Sequence, residues 1–265
     1  MASRTALVTG ASSGIGEAVA TALVSRGWQV LGTSRDPVSI KERIPGVEYL
    51  ALDLNDSASI EACAAAAGAV DVLVNNAGES QSGPLEELPM DAIERLFRVN
   101  VFSAVRMTQL LLPGMRERGY GRVVMVGSML ASFPLAYRSS YVAAKAALRG
   151  FATASRREVL KYGVGITVIE PGAISTGIGL RRTHYLADGS PYTAEYNTMI
   201  KRLDANERAG ISPQTVAAKI VDAIDADPPR SFYAVGSNAP MVFALRRLMP
   251  RAVVERMVAR RHGLP

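Results

Sequence analysis

The run T-A-L-V-T-G-A-S-S-G-I-G, Thr5 to Gly16, decides how the rest of the chain is read. Its opening is a short apolar, β-branched strand; glycines at positions 10, 14 and 16 follow, and an amphipathic helical pattern runs from Ile15 to Arg26. Strand, glycine turn and helix in that order bring backbone N–H groups and a helix N-terminus to face an anion, typically a pyrophosphate. Gly10, Gly14 and Gly16 permit the turn, and Ser12, Ser13 and Ile15 lie within it. Glycine is common in turns of every kind, so the reading depends on what comes after.

What comes after keeps the same rhythm. Strand-like runs at Gln29 to Thr33, Val47 to Leu52, Val70 to Asn75, Arg122 to Gly127, Gly165 to Ile169 and Phe232 to Val235 alternate with helical segments. The helices are read at Asp56 to Ala67, Asp91 to Leu112, Ser139 to Tyr162 and Ser212 to Ala226. Asp91 to Glu94 reads as a capping box, Pro113 as the end or kink of its helix, and Ser212-Pro213 as a cap with proline in the first turn. The pattern predicts an α/β fold: a Rossmann-type doubly wound, seven-stranded parallel sheet with helices on both faces, in one domain spanning 1–265. The irregular stretch 175–210, rich in Tyr, Gly and Pro, is expected to be a mobile substrate lid, the alternative being a surface excursion with helices of its own. Residues 240–265 are expected to form two short amphipathic helices with arginines opposite an apolar stripe.

Composition narrows the function. The chain has 265 residues, 48% of them hydrophobic, so a large core needs no staples. One cysteine, Cys63 in an alanine-rich run, reads as a buried helix residue, and two distant histidines make a protein-held metal unexpected. No cleavable leader or membrane-length segment is read, so the expected location is cytoplasmic. The net charge of +6 comes from scattered arginines, densest in the last twenty residues, which argues against nucleic acid as a partner. The tail is expected to close the substrate side or a subunit contact, with contact to an anionic membrane as the less favoured reading.

Where a dinucleotide enzyme often carries an acid against the ribose, about 20 residues past the glycines, this chain has Ser34 and Arg35. A carboxylate there repels a 2′-phosphate, whereas a guanidinium grips it, so NADP(H) is preferred and NAD(H) is the alternative. Asp36 is the competing feature, either as a ribose carboxylate one residue on or as an ion-pair partner for Arg35. Tyr141 and Lys145 stand one helical turn apart on one face. A phenol of pKa about 10 exchanges protons poorly near neutrality, and a nearby ammonium lowers that value.

In these features the sequence resembles the short-chain dehydrogenase/reductase family, from Thr5 to about Thr176 and more loosely to Val235. Thr9 to Gly16 matches its T-G-x-x-x-G-x-G signature, Asn75-Asn76-Ala77-Gly78 its N-N-A-G motif, and Pro171-Gly172 with Ile174 and Thr176 its P-G-x-x-x-T element. The resemblance implies Asp53 and Leu54 near the adenine, and a catalytic set of Asn100, Ser128, Tyr141 and Lys145. In it Ser128 binds the substrate oxygen, Lys145 holds the nicotinamide ribose, and Asn100 relays protons through water. The branch resembled is that of hydroxysteroid and retinol dehydrogenases, which implies a homodimer or homotetramer.

The expected function is therefore interconversion of a small lipophilic ketone or aldehyde and its alcohol. Leu130, Phe133, Leu135 and Tyr137 are the expected pocket walls, apolar and with few fixed charges. A 3-oxoacyl ketoreductase acting on a carrier protein or CoA is the alternative, and a catalytically silent dinucleotide sensor a weaker one. A serine hydrolase is not expected, because Ser128 does not sit in G-x-S-x-G and the chain has only two histidines, far apart in sequence.

Overall fold

In the computed structural model, which describes residues 4–265, the chain begins with β1 (Thr5–Val8), α1 (Gly14–Val24), β2 (Gln29–Ser34), β3 (Val47–Ala51), α2 (Ser57–Ala67) and β4 (Val72–Asn75). It continues through β5 (Gln81–Ser82), α3 (Met90–Phe97), α4 (Ser103–Glu117), β6 (Gly121–Val126), α5 (Ser139–Val159) and β7 (Val164–Pro171). Then come β8 (Thr183–His184), α6 (Thr193–Arg208), α7 (Pro213–Asp225), β9 (Phe232–Val235), α8 (Ala239–Leu248) and α9 (Arg251–Arg261). Seven strands make one parallel sheet in the order β3-β2-β1-β4-β6-β7-β9. Each of the seven strands expected from the sequence is present. The chain crosses from one half of the sheet to the other between β1 and β4, which is where such sheets open a crevice.

Strand alternation divides the apolar residues between two cores. Leu7, Leu73, Val123 and Met125 face α2, α4 and α5, packing on Ile60, Cys63, Met107 and Leu148. Their neighbours Val8, Val74, Val124 and Val126 face α1 and α7, against Val19, Leu23, Val216 and Ile220. Both faces are thus covered by helices, which is why every residue of β6 and β7 is buried, the polar Arg122, Thr167 and Glu170 included, and why the rest of those strands is apolar. Cys63 is a core residue, its thiol pushed up to about 11 by burial.

The expected helix from Asp91 to Leu112 is instead two helices. A π-helical turn over Arg98–Phe102 separates α3 from α4, and α4 passes through Pro113 to Glu117. Proline removes one backbone hydrogen bond, but Met115 beyond it is fully buried, and that burial carries the helix on. The capping box at Asp91 is also absent. Pro89 stands at the start of α3 and makes no capping bond, and Asp91 lies in the first turn with Oδ1 accepting from the N–H of Ala92. Ser212 does cap α7, accepting from the N–H of Thr215 at 3.2 Å.

Segment 175–210 is more ordered than a loop. β8 pairs in parallel with β5 as a separate two-stranded sheet, and α6 buries Tyr196, Met199 and Leu203 beneath it with Leu135 and Leu264. Among the described residues no helix is long and apolar enough to cross a membrane. Met115→Ala should lower the unfolding free energy by about 2–5 kcal/mol, the usual cost of emptying such a site. A denaturant titration checks this, with a lower midpoint and an unchanged slope as the expected result.

Candidate active site

The crevice is shaped by a hydroxyl at its root. Thr9 Oγ1 donates to the carbonyl of Val74 at 3.2 Å and accepts from the N–H groups of Asn76 and Ala77 at 2.9 and 3.0 Å. Asn76 Nδ2 returns a bond to the Thr9 carbonyl at 2.9 Å. This ties the glycine turn after β1 to the N-N-A-G turn after β4. Gly10 has φ +68°, and a Cβ at Gly16 would stand 2.2 Å from the Gly10 carbonyl oxygen, so neither position admits a side chain cheaply. Ser13 is the residue before α1 but its side chain makes no capping bond, leaving the first N–H groups of the helix to a ligand.

A cavity of about 770 Å³ opens at this end of the sheet. Gly10, Ser12, Ser13, Gly14 and Ile15 line it from the glycine turn, Ser34 and Arg35 from the end of β2, and Asp53 and Leu54 from beyond β3. Asn76, Ala77 and Gly78 follow β4, and Pro171, Gly172, Ile174 and Thr176 follow β7. Of the residues the sequence nominated for catalysis or for holding the dinucleotide, Gly16 and Asn100 do not line the cavity, and both support its wall from behind.

Asn100 lies in the π-helical turn, where its side chain grips the Glu79 backbone. Oδ1 accepts from the Glu79 N–H at 2.7 Å, and Nδ2 donates to the Glu79 carbonyl at 2.9 Å. The turn after β4 is thereby pinned above α5. Ser128 ends the stretch after β6, with Oγ accepting from the N–H of Leu130 at 3.2 Å and also meeting the Tyr141 phenol. The loop carrying Ser128 is anchored from beneath. Buried Glu170 of β7 takes a bond from Ser132 at 2.8 Å and an ion pair from Arg149 at 3.1 Å. Ser132, in the loop after β6, is part of that anchor.

Tyr141 and Lys145 both lie buried on α5. Lys145 Nζ donates to the Val126 carbonyl at 2.9 Å and stands 5.9 Å from the Tyr141 ring centre, and burial pulls it down to about 8. The expected lowering of Tyr141 by Lys145 is not what the protein alone displays. Burial raises the phenol, and the cation that most opposes the rise is Arg138. That guanidinium carbon lies 4.4 Å from the ring centre.

The walls also differ from expectation. Leu130 and Phe133 line the cavity, but Leu135 and Tyr137 do not. Leu135 lies in the core beneath α6, and Tyr137 stacks edge-on against Tyr192 and Tyr196, its hydroxyl raised to about 12 by burial and Glu195. The segment 175–210 presents Ile178, Arg181, Thr183, Leu203, Asn206 and Glu207 instead. With Arg138 these make the cavity more charged than the apolar, aromatic pocket expected. Arg181 reaches Ser13 Oγ at 3.3 Å across the mouth, a contact between residues far apart in sequence that no local pattern signals.

The tail closes the remaining side. Val242, Val258, Arg261 and His262 line the cavity, and Phe243 packs edge-on against Phe133 with ring centres 5.1 Å apart. The apolar residues expected to share one buried stripe are divided. Val242, Val254 and Val258 turn inward, while Met241, Leu245, Leu248, Val253 and Met257 remain exposed.

A doubly wound parallel sheet with an uncapped glycine turn at its crevice defines a dinucleotide-binding α/β protein. A family model described as short chain dehydrogenase matches residues 4–184. A Bacillus subtilis protein named as an uncharacterized oxidoreductase is 31% identical, covering 98% of this chain and 99% of its own length. An NADPH-dependent 3-dehydrocapnine reductase of Ornithobacterium rhinotracheale is 30% identical over 96% of this chain and 95% of its own. A solved short-chain dehydrogenase from Streptomyces avermitilis superposes with TM-score 0.82 at 32% identity, covering 93% of this chain and 94% of its own. The chain belongs to the short-chain dehydrogenase/reductase family of oxidoreductases, which bind a nicotinamide dinucleotide.

Deleting residues 240–265 should uncover Phe133 and weaken substrate binding while the dinucleotide still binds, because the glycine-turn and β2 contacts lie outside the tail. Fluorescence titration with NADPH, beside the KM for a turned-over substrate, checks the two effects separately.

Proposed function

We propose that the protein is an NADP(H)-dependent oxidoreductase that interconverts a lipophilic ketone or aldehyde and its alcohol. The observation that carries this reading is the buried Tyr141 phenol, facing the Ser128 hydroxyl and lining the same cavity as the glycine turn. Bound NADP(H) supplies or accepts the hydride. In reduction, Tyr141 donates its proton to the developing alkoxide; in oxidation, its phenolate removes the hydroxyl proton. Ser128 hydrogen-bonds the same substrate oxygen and fixes its distance from the phenol. Lys145, charged near neutrality at a value of about 8, holds the nicotinamide ribose and favours phenolate. Asn100 keeps the turn above them closed by its grip on Glu79.

The preference for NADP(H) rests on the end of β2. Asp36 Oδ1 is engaged by its own turn, accepting from the N–H groups of Val38 and Ser39 at 3.0 and 3.4 Å, and Asp36 does not line the cavity. Arg35 does, so the charge offered to the ribose 2′ position is positive. Relatives named as an NADPH-dependent 3-dehydrocapnine reductase and a 3-ketodihydrosphingosine reductase support both the cofactor and carbonyl reduction as the direction. Leu130, Phe133, Val242 and Val258 offer an apolar wall to the lipophilic part of the substrate.

Tyr141→Phe should abolish turnover and leave NADPH affinity within a few-fold of the parent. Purified protein assayed with NADPH against a panel of steroid, retinoid, aliphatic and acyl-thioester ketones checks this, and turnover retained within tenfold would remove Tyr141 from the role. The same panel decides between a free lipophilic ketone and a 3-oxoacyl thioester. Arg35→Ala should narrow the preference for NADPH over NADH by roughly 1.5–3 kcal/mol, the worth of a charged hydrogen bond. Paired Kd measurements for the two cofactors read this directly.

A further inference from the structure

The stretch just before α5 places a second cation against the tyrosine. Arg138 is 3% exposed, and its guanidinium lies on the Tyr141 ring at 4.4 Å from the ring centre. Nη1 donates to Ser82 Oγ at 3.1 Å, and Nε is buried with no partner. No carboxylate stands within ion-pair distance of it among the described residues. Its neighbour Arg182 is in the opposite position, paired with Asp204 at 2.7 Å and with Glu207. Of these two neighbouring buried guanidinium groups, Arg182 is therefore neutralised, and Arg138 sets its charge against an aromatic face. Burying an arginine without a carboxylate is costly unless something nearby takes up the charge.

A guanidinium over a ring is attracted to its π density, and a phenolate ring carries more of that density than a phenol. Stacking thus favours the ionised tyrosine and fixes the plane of the ring. Lys145 on the same helix is farther, at 5.9 Å from the ring centre, and is bonded to the Val126 carbonyl. The other groups bearing on Tyr141 are the Ser128 hydroxyl from the loop after β6, Glu207 from α6 and Arg182 from before β8. Glu207 opposes phenolate, while Ser128 and, more weakly, Arg182 favour it; Arg138 outweighs each of them. Burial draws Arg138 down to about 10, which leaves it a cation at neutral pH.

We propose that Arg138 is a positioning residue that holds the Tyr141 ring in plane and, together with Lys145, biases its phenol toward the ionised form. This rests on Tyr141 being the proton-transfer group. The test follows the phenol itself, so it does not depend on turnover. Protein labelled with ¹³C at tyrosine Cζ is titrated over the pH range in which it stays folded, with and without saturating NADP⁺, and Tyr141→Phe identifies the signal. Arg138→Gln should raise the Tyr141 midpoint by about one pH unit or more, and Arg138→Lys by less, because charge is kept and planar stacking lost. Ser82→Ala, which frees Nη1 but keeps the charge, should give a smaller rise and serves if Arg138→Gln does not fold. A Tyr141 midpoint the same in the parent and in a folded Arg138→Gln, or in Ser82→Ala where that is the folded variant, overturns the proposal. Failure of the activity assay on Tyr141→Phe would overturn the role of Tyr141 without touching this titration.

Discussion

Everything at the site hangs from the way β1 and β4 part company. The strands lie side by side in the sheet, and the chain leaves β1 into α1 on one face and leaves β4 toward α3 at the other side of the crevice. Two diverging turns at the end of a sheet would expose unpaired backbone. The Thr9 hydroxyl, with one donor and two acceptor sites, satisfies three of those groups at once. Because the hydroxyl is central to both turns, the glycine turn and the N-N-A-G turn cannot move independently. The close approach at Gly16 follows from the same constraint, since a methyl group there would meet both Gly10 and Asn76.

A second layer of support lies outside the cavity. The π-helical turn re-aims Asn100 so that its amide meets the Glu79 backbone, and the extra residue in that turn is the reason α3 and α4 are not one helix. On the far side, Glu170, Arg149 and Ser132 fasten the loop that presents Ser128. Desolvation raises a carboxyl so buried, with Ser132 and Arg149 pulling it back. Such a pair is an expensive way to stabilise a fold, and it is understandable as a device for fixing one loop geometry.

The sheet was legible in the sequence because strands buried on both faces are mostly apolar, and because the glycine run comes between a strand and a helix. The cavity-lining residues of the turns were legible for the same reason, each following the carboxyl end of a strand. What escaped was whatever depends on contacts distant in sequence. Pro113 is a helix breaker by local rule, and only the burial of Met115 overrides it. The tyrosines between 185 and 196 look like a substrate wall by composition, yet Tyr196 serves the core beneath α6. Arg138 gives no local sign of its role, because an arginine before a helix ordinarily belongs to solvent. Both Ser82, which holds it, and Arg182, which takes the nearby carboxylates, come from other parts of the chain.

The position of α8 and α9 has a consequence for how such a protein diversifies. The match to the family model ends at residue 184, whereas part of α6 and the last two helices complete the wall of the cavity. Most of the tail rests on the rest of the molecule through a few side chains, chiefly Val242, Phe243, Val254 and Val258, and contributes no strand to the sheet. Replacement or lengthening of these helices would therefore reshape the chamber at little expense to folding. On the proposed reading, the groups that do the chemistry and the walls that select the substrate are written in separable stretches of one polypeptide.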